Sequence, residues 1–224
     1  VLHYNFVNLE VRKLEIKWHG HSCFEIGEGM KIVIDPHDGR SIGIKPPRVR
    51  ADLVLITHHH FDHDAVRVVR GDFKVIDSPG DYVIGDVHIK GITAYHDEEY
   101  GKKRGTITMY KIETEGIRLL HVGDLGHVLD TDKIEEIGSI DILFTPVGGV
   151  YTVDAKKAYE NVKLLKPKIV IPMHYKIPGM SLGIAPVDDF LALFPQNSIE
   201  FIGNSISFSR GDLPKDMHVW VFTL

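Results

Sequence analysis

Short apolar runs rich in β-branched residues recur along the chain at strand length, each bounded by Gly, Pro, Asp or Asn. They fall at Leu14–Trp18, Met30–Ile34, Leu53–Ile56, Phe73–Ile76, Thr106–Ile112, Ile117–His121, Ile142–Phe144, Ile169–Ile171, Ser198–Ile202 and His218–Phe222, and they predict β-strands. A further run, Ile89–Tyr95, leads up to His96. Between two of the runs, Glu113–Gly116 reads as a hairpin turn, with Gly116 in the permissive backbone position. Helical spacing is rarer. Asp154–Lys166 carries Ala155, Ala158, Val162 and Leu165 on one face, with Thr152 placed to cap it, Asp154 in its first turn and Pro167 marking its end. Val187–Phe194 predicts a shorter helix and Asp64–Val69 a third. There is no repeat and no linker-like shift in composition. The pattern predicts one layered α/β domain over residues 1–224, with sheets in the middle.

The chemistry concentrates where one apolar run ends. Residues 51–64 read ADLVLITHHHFDHD, so a strand delivers His58, His60, Asp62 and His63 within six positions. Imidazole nitrogen and carboxylate oxygen suit Zn²⁺, Mn²⁺ or Fe, and the turn after a strand can aim such side chains at one point. At spacing i, i+2 His58 and His60 project together from extended backbone, while His59 alternates away. Other candidates also follow strands: His96, then Asp124 within HVGDLGH, then His174 within IPMHY. Strand ends are where α/β sites gather. Taken singly, His96 and His174 also read as core histidines, and Asp124 as a turn residue between glycines.

Composition narrows the field. The 224 residues carry a net charge of −5, which supplies no basic surplus for neutralising phosphates and argues against a nucleic-acid partner. No apolar run approaches the roughly 20 residues needed to span a bilayer. The start of the chain lacks a signal-peptide layout, and Cys23 is alone, so a cytoplasmic location is the default expectation. Cys23 lies in an apolar run and reads as a small core residue, not a nucleophile.

The motif His58-x-His60-x-Asp62-His63 resembles the hallmark of the metallo-β-lactamase superfamily, and His96, Asp124 and His174 match that family's later ligands in order. The segments WHGHSCFEI, IDP, TPVGGVYT and VIPMHY resemble the branch of ascorbate-phosphate lactonases and phospholipase-D-type hydrolases of N-acyl-phosphatidylethanolamine. The resemblance implies a four-layered αββα sandwich. It implies that His58, His60 and His96 hold one metal ion, that Asp62, His63 and His174 hold a second, and that Asp124 bridges them. Zn or Mn is expected, with Fe a further option. A hydroxide between the ions would attack a small-molecule lactone, ester or phosphodiester. Asp62, Asp124 and His127 are the candidate catalytic residues, His127 because it follows Asp124 by three positions. Asp35 resembles an early Asp that supports the metal loop, with a strand-end cap as the ordinary alternative. His21 lines the site or is a core or surface histidine, and His19 reads as structural. Gly148 and Gly149 bring backbone near substrate or form a turn.

Rival functions are set aside on sequence features. Di-iron redox relatives place an acid where His60 stands and carry a flavin domain, and neither is present here. A nuclease on this fold would need a basic arm or inserted domain, for which there is no room. A scaffold that had lost its metals would not keep all seven candidate ligands.

Overall fold

The computed structural model describes residues 12–224. Its strands are β1 (Leu14–Trp18), β2 (Phe24–Ile26), β3 (Ile32–Ile34), β4 (Leu53–Leu55), β5 (Lys74–Ile76), β6 (Gly80–Ile84), β7 (Val87–Tyr95), β8 (Thr106–Thr114), β9 (Ile117–His121), β10 (Ile142–Pro146), β11 (Ile169–Met173), β12 (Ile199–Ile202), β13 (Ser205–Phe208) and β14 (His218–Phe222). Three helices interleave with them: α1 (Thr131–Ile137), α2 (Ala155–Leu165) and α3 (Asp188–Leu191). The strands form a six-stranded sheet, in the order β13-β1-β2-β3-β4-β5, and an eight-stranded sheet, in the order β12-β14-β11-β10-β9-β8-β7-β6. In the larger sheet β6 to β9 is an antiparallel meander, after which β9, β10, β11 and β14 run parallel. Parallel neighbours need crossovers, and α1 and α2 supply them between β9 and β10 and between β10 and β11.

Alternation along the short strands sets the layering. In β3 and β4, Ile32, Ile34, Leu53 and Leu55 face the main core shared with the larger sheet. Val33 and Val54 face the other way, into a smaller cluster with Cys23, Val49 and Ala51. Aromatic rings fill the space between the sheets, with Phe24 4.7 Å from Phe144 and Trp18 stacked 5.6 Å from Tyr175, centroid to centroid. The Tyr110 hydroxyl, on β8, reaches across to donate to Ile56 O at 3.0 Å or Ile76 O at 3.1 Å. That contact ties the larger sheet to the smaller one immediately before Thr57 and His58.

The two-sheet α/β architecture agrees with the sequence reading, and the differences have local causes. The helix expected over Asp64–Val69 is a 3₁₀ turn at Val66–Val68, with Val69 extended. Three valines in four positions resist the α conformation, and they pack instead on the smaller cluster. The outer face of the six-stranded sheet is thus covered by irregular chain at this point. The cap of α2 is Asp154, which accepts from Lys157 N at 2.9 Å, and Thr152 bonds only to Val153 O. The helix therefore begins one residue later than expected. It ends at Lys166 in the left-handed conformation, just before Pro167. Helix α1, capped by Asp130 and closed at Gly138, was not foreseen because only Ile134 and Ile137 mark its inner face. Strands β2, β6 and β13 were missed as well: β2 is three residues long, and β6 is half-exposed throughout. No helix among the described residues is long and apolar enough to cross a membrane.

Replacing the α2 cap, Asp154→Ala, leaves Lys157 N–H without its partner. The expected cost is about 1 kcal/mol, read by thermal unfolding as a fall in Tm of about 2–4 °C for a chain of this size.

Candidate metal centre

Strand β4 runs into Ile56 and Thr57, and the chain then turns on itself. His63 N and Asp64 N both donate to His60 O, at 2.9 and 3.2 Å. This turn brings Asp62 and His63 back beneath His58. The other strand ends converge on the same place. His21 follows β1, Asp35 follows β3, His96 follows β7, Asp124 follows β9 and His174 follows β11. Glycine lets the Asp124 loop come close enough. A Cβ at Gly123 would lie 2.8 Å from Thr57 side-chain atoms, and one at Gly126 would lie 2.3 Å from Asp97 N. Both glycines around Asp124 are therefore needed for close approach, which an isolated surface turn would not require.

The candidate ligand atoms form two principal groups, within each of which the atoms lie within 4.8 Å of one another. One is His58, His60 and His96. The other is His21, Asp62, His63 and His174. Asp124 lies between them, its carboxylate oxygens 3.8 Å from His58 Nε2, 3.4 Å from His96 Nε2, 3.3 Å from His63 Nε2 and 3.2 Å from His174 Nε2. Asp35 organises the group from behind. It accepts from Thr57 N at 2.8 Å, from Thr57 Oγ1 at 2.7 Å and from His63 Nδ1 at 3.0 Å. Because Thr57 Oγ1 donates its one proton to Asp35, it must accept from His58 Nδ1, 2.9 Å away. Both rings are thereby fixed with Nε2 turned inward, the arrangement in which histidine ligands are oriented by outer partners.

The residues present fit divalent metal ions. His58 Nε2, His63 Nε2 and Asp124 Oδ1 are buried without a hydrogen-bond partner, an expensive condition for polar atoms unless something else engages them. The donors are nitrogen and oxygen without thiolate, which suits zinc or manganese. Charge is arranged to the same end. Burial would raise the Asp124 carboxyl, but His174 and His63 outweigh it and hold it well below the usual range. Burial likewise opposes ionisation of Asp62, and His63 together with the hydrogen bond from His21 overcomes it. Burial and then His63 push His58 down to about 3, while burial and then His174 push His21 down to about 3. His63 goes the other way: burial lowers it, but Asp124 and Asp62 outweigh that and raise it well above normal. Of these three histidines, His63 is therefore the one that holds a proton at neutral pH, beside neutral His21 and His58.

Other residues singled out in the sequence take more ordinary places. His127 is not brought into either group: its Nδ1 donates to Val128 O at 2.9 Å and its Nε2 accepts from Tyr95 N at 3.4 Å, so both nitrogens are committed to backbone. Three residues beyond Asp124, the chain has already turned away towards α1. His59 is exposed, between Asp64 and Asp77. His19 pairs with Glu25 at 3.2 Å. Cys23 is buried in the smaller apolar cluster. Gly148 N donates to His174 O, and a Cβ there would lie 2.3 Å from that oxygen, so this glycine serves the His174 backbone. The residue underrated in the sequence is His21, fully buried with Nε2 donating to Asp62 Oδ2 at 3.0 Å. Its signal was available: it follows a strand, as every other candidate ligand does.

Residues 15–174 match the family model of the β-lactamase superfamily domain. A metal-dependent hydrolase of the UPF0173 group from Thermococcus onnurineus is 34% identical over 189 residues, spanning 72% of this chain and 84% of the relative. A structure from Thermotoga maritima, named for a zinc-dependent hydrolase of the metallo-β-lactamase superfamily, is 42% identical with a TM-score of 0.77, covering 93% of this chain and 98% of that one. The metallo-hydrolase Igni18 from Ignicoccus hospitalis shares the fold at 24% identity and a TM-score of 0.67, over 88% of this chain and 99% of its own. With the hallmark residues gathered at one edge of two packed sheets, the chain belongs to the metallo-β-lactamase superfamily and is a metal-dependent hydrolase.

Proposed function

We propose that the protein hydrolyses a small-molecule lactone, ester or phosphodiester at a site for two divalent ions, zinc or manganese. The observation that carries this reading is the place of Asp124, a buried carboxylate within 3.8 Å of histidines from both ligand groups. His58, His60 and His96 would hold one ion, and Asp62, His63 and His174 the other. Asp124 would serve both, offsetting the repulsion between two cations held close together. When bound, such ions lower the pKa of a coordinated water towards 7 and stabilise charge on the attacked group and the leaving group. The chain's own part is to hold that chemistry still. Asp35 and Thr57 lock the tautomers of His58 and His63, so that Nε2 of each faces the ions. Nothing in the site requires a nucleophilic Ser or Cys, and burial pushes the Cys23 thiol up, away from reactivity. The donor set, with histidine at position 60 and no acid there, favours hydrolysis over di-iron oxidation.

Metal-loaded protein should hydrolyse at least one of a lactone, a carboxylic ester and a model phosphodiester, lose that activity to EDTA, and recover it with Zn²⁺ or Mn²⁺. Turnover that survives complete metal removal would defeat the reading. Asp124→Ala should lower occupancy of both ions and reduce hydrolysis by more than about 100-fold, since even outer partners of metal ligands cost 10–100-fold. Its circular dichroism should match wild type, because the carboxylate contributes nothing to the apolar core. Full metal content with near-normal turnover would reduce Asp124 to a turn residue.

Metal uptake should also release a proton. A ligand must give up its proton to bind, and His63, whose pKa is raised, is protonated in the metal-free protein. The folded-state pKa lies above the unfolded one, so this ion-paired proton stabilises the metal-free fold fully below the unfolded value and is lost as pH rises through the folded one. Metal affinity should run oppositely, rising with pH. At pH 6, below the range near 7 where metal-bound water ionises, titration calorimetry in buffers of different ionisation enthalpy should find proton release from the protein that includes the His63 proton. His21 and His58, already neutral at that pH, should add none. Uptake with no proton released would contradict the assignment of His63.

A further inference from the structure

We propose that His21 is itself a ligand of the second ion, beside Asp62, His63 and His174. That makes this position the closed one and leaves the three-histidine position open, exchangeable and facing substrate. The inference rests on the two-ion reading and extends it, because neither the hallmark motif nor the later His-Asp-His series contains His21.

Distance is the first argument. Two donors bound at roughly 2.0–2.2 Å to one ion, at angles between a right angle and the tetrahedral value, lie about 2.8–3.6 Å apart. His21 Nε2 and Asp62 Oδ2 are 3.0 Å apart, and His63 Nε2 is 3.6 Å from the same oxygen. The His21 ring lies 4.2 Å from that of His174 and 5.0 Å from that of His63, centroid to centroid, so it packs among the ligands of one group.

The second argument is how this ring differs from His121 and His127, two histidines outside both ligand groups. His121 donates from Nε2 to Ser22 O at 3.1 Å and accepts from Gly123 N at 3.2 Å on Nδ1, so both nitrogens are satisfied by backbone. His127 is satisfied in the same way. His21 is fully buried, yet its only polar partner is Asp62, and Nδ1 has none. Buried His37 also keeps a single bond, but it goes from Nε2 to the backbone carbonyl of His19, whereas that of His21 points into a group of metal-type donors. The backbone is also constrained to hold it there. His21 has φ 55°, a left-handed conformation that costs a non-glycine residue energy. Its carbonyl is clamped by Trp18 Nε1 at 3.0 Å and by His174 N at 3.3 Å, which couples it directly to another ligand.

The third argument is the asymmetry between the groups. All four members of the His21 group are buried, whereas His60 of the other group is exposed. Four protein donors plus Asp124 leave little room for substrate or water. Three histidines plus Asp124, with one histidine at the surface, leave an open position, which is what separates catalytic from closed structural sites.

Cobalt(II)-loaded protein dialysed against a chelator tests this, with metal content and visible absorption followed over time. Wild type should lose one ion quickly and the other at least about ten times more slowly. His21→Ala should abolish the slow phase and change the absorption of the retained cobalt. His21→Gln can still donate an N–H to Asp62 but offers no imidazole, and it should behave like His21→Ala. A glutamine variant indistinguishable from wild type would overturn ligation and make His21 a positioning residue for Asp62. An alanine variant with an unchanged slow phase would overturn any role for His21 at this ion. Thermal unfolding of the metal-free variants checks that they fold, and the glutamine variant carries the test should the alanine variant not. Wild type that takes up no cobalt would sink the two-ion reading and this inference together. Two ions held by wild type and equally by both variants would sink this inference alone.

Discussion

The approach of the two sheets at Thr57 is the constraint on which the rest of the site depends. Thr57 lies two residues beyond β4 of the smaller sheet, and its carbonyl accepts from Thr108 N of the larger one at 2.8 Å. Its own N–H and hydroxyl go to Asp35, its hydroxyl oxygen accepts from His58, and Gly123 packs against its side chain. One residue thus ties the early Asp, the first histidine of the motif and the loop of the candidate bridging carboxylate. A side chain at 123 would push the sheets apart and carry Asp124 away from His58. Tyr110 reinforces the same seam from the larger sheet, so ligands borne on different sheets keep their spacing.

Much of this was legible in the sequence because the candidate ligands obey a simple rule: each follows an apolar run that becomes a strand. Residues 51–64 declare themselves, since the run to Thr57 is unbroken and the polar cluster has mixed histidine and aspartate. In the sequence Asp124 reads equally as a turn residue, and what places it among the histidines is three-dimensional. The reason for glycine at 123 and 126 lies in Thr57 and Asp97, both distant in sequence. His21 was underrated because β2 was not seen, and without β2 the segment WHGHSCF has no defined turn to aim it. His127 misled in the opposite sense. Proximity in sequence to Asp124 suggested the site, but the chain leaves the sheet edge there and Asn161 Nδ2 fastens the His127 carbonyl beneath α2.

Backbone strain is distributed to the same end. His21, Asp35 and His174 all have positive φ, and all three stand at the first turn after a strand that feeds the site. A glycine at any of them would relieve the conformation and lose the side chain, so the cost is borne where the side chain is needed. Hydrogen bonds hold each in place: Asp35 through Leu55 O and Thr57, His174 through the His21 carbonyl, and His21 through Trp18.

Charge explains why such an assembly folds at all before any metal arrives. Asp35, Asp62 and Asp124 are buried together, and unpaired carboxylates in that setting would be prohibitive. His63 stands in reach of all three, at 3.0 Å from Asp35, 3.6 Å from Asp62 and 3.3 Å from Asp124, and its raised pKa is the response of one imidazole to that field. One imidazolium does not balance three carboxylates, and N–H and O–H donors on Thr57 and His21 take up part of the remainder. On the two-ion proposal, a divalent cation would replace the His63 proton with a larger positive charge at nearly the same point. The proton and the proposed ion would then compete for one nitrogen, so the imidazolium that pairs with the carboxylates in the metal-free protein would also govern how readily the metal enters. The three aspartates thus set the charge on His63 in the metal-free protein, and on the two-ion proposal the same carboxylates would set how readily a metal displaces its proton.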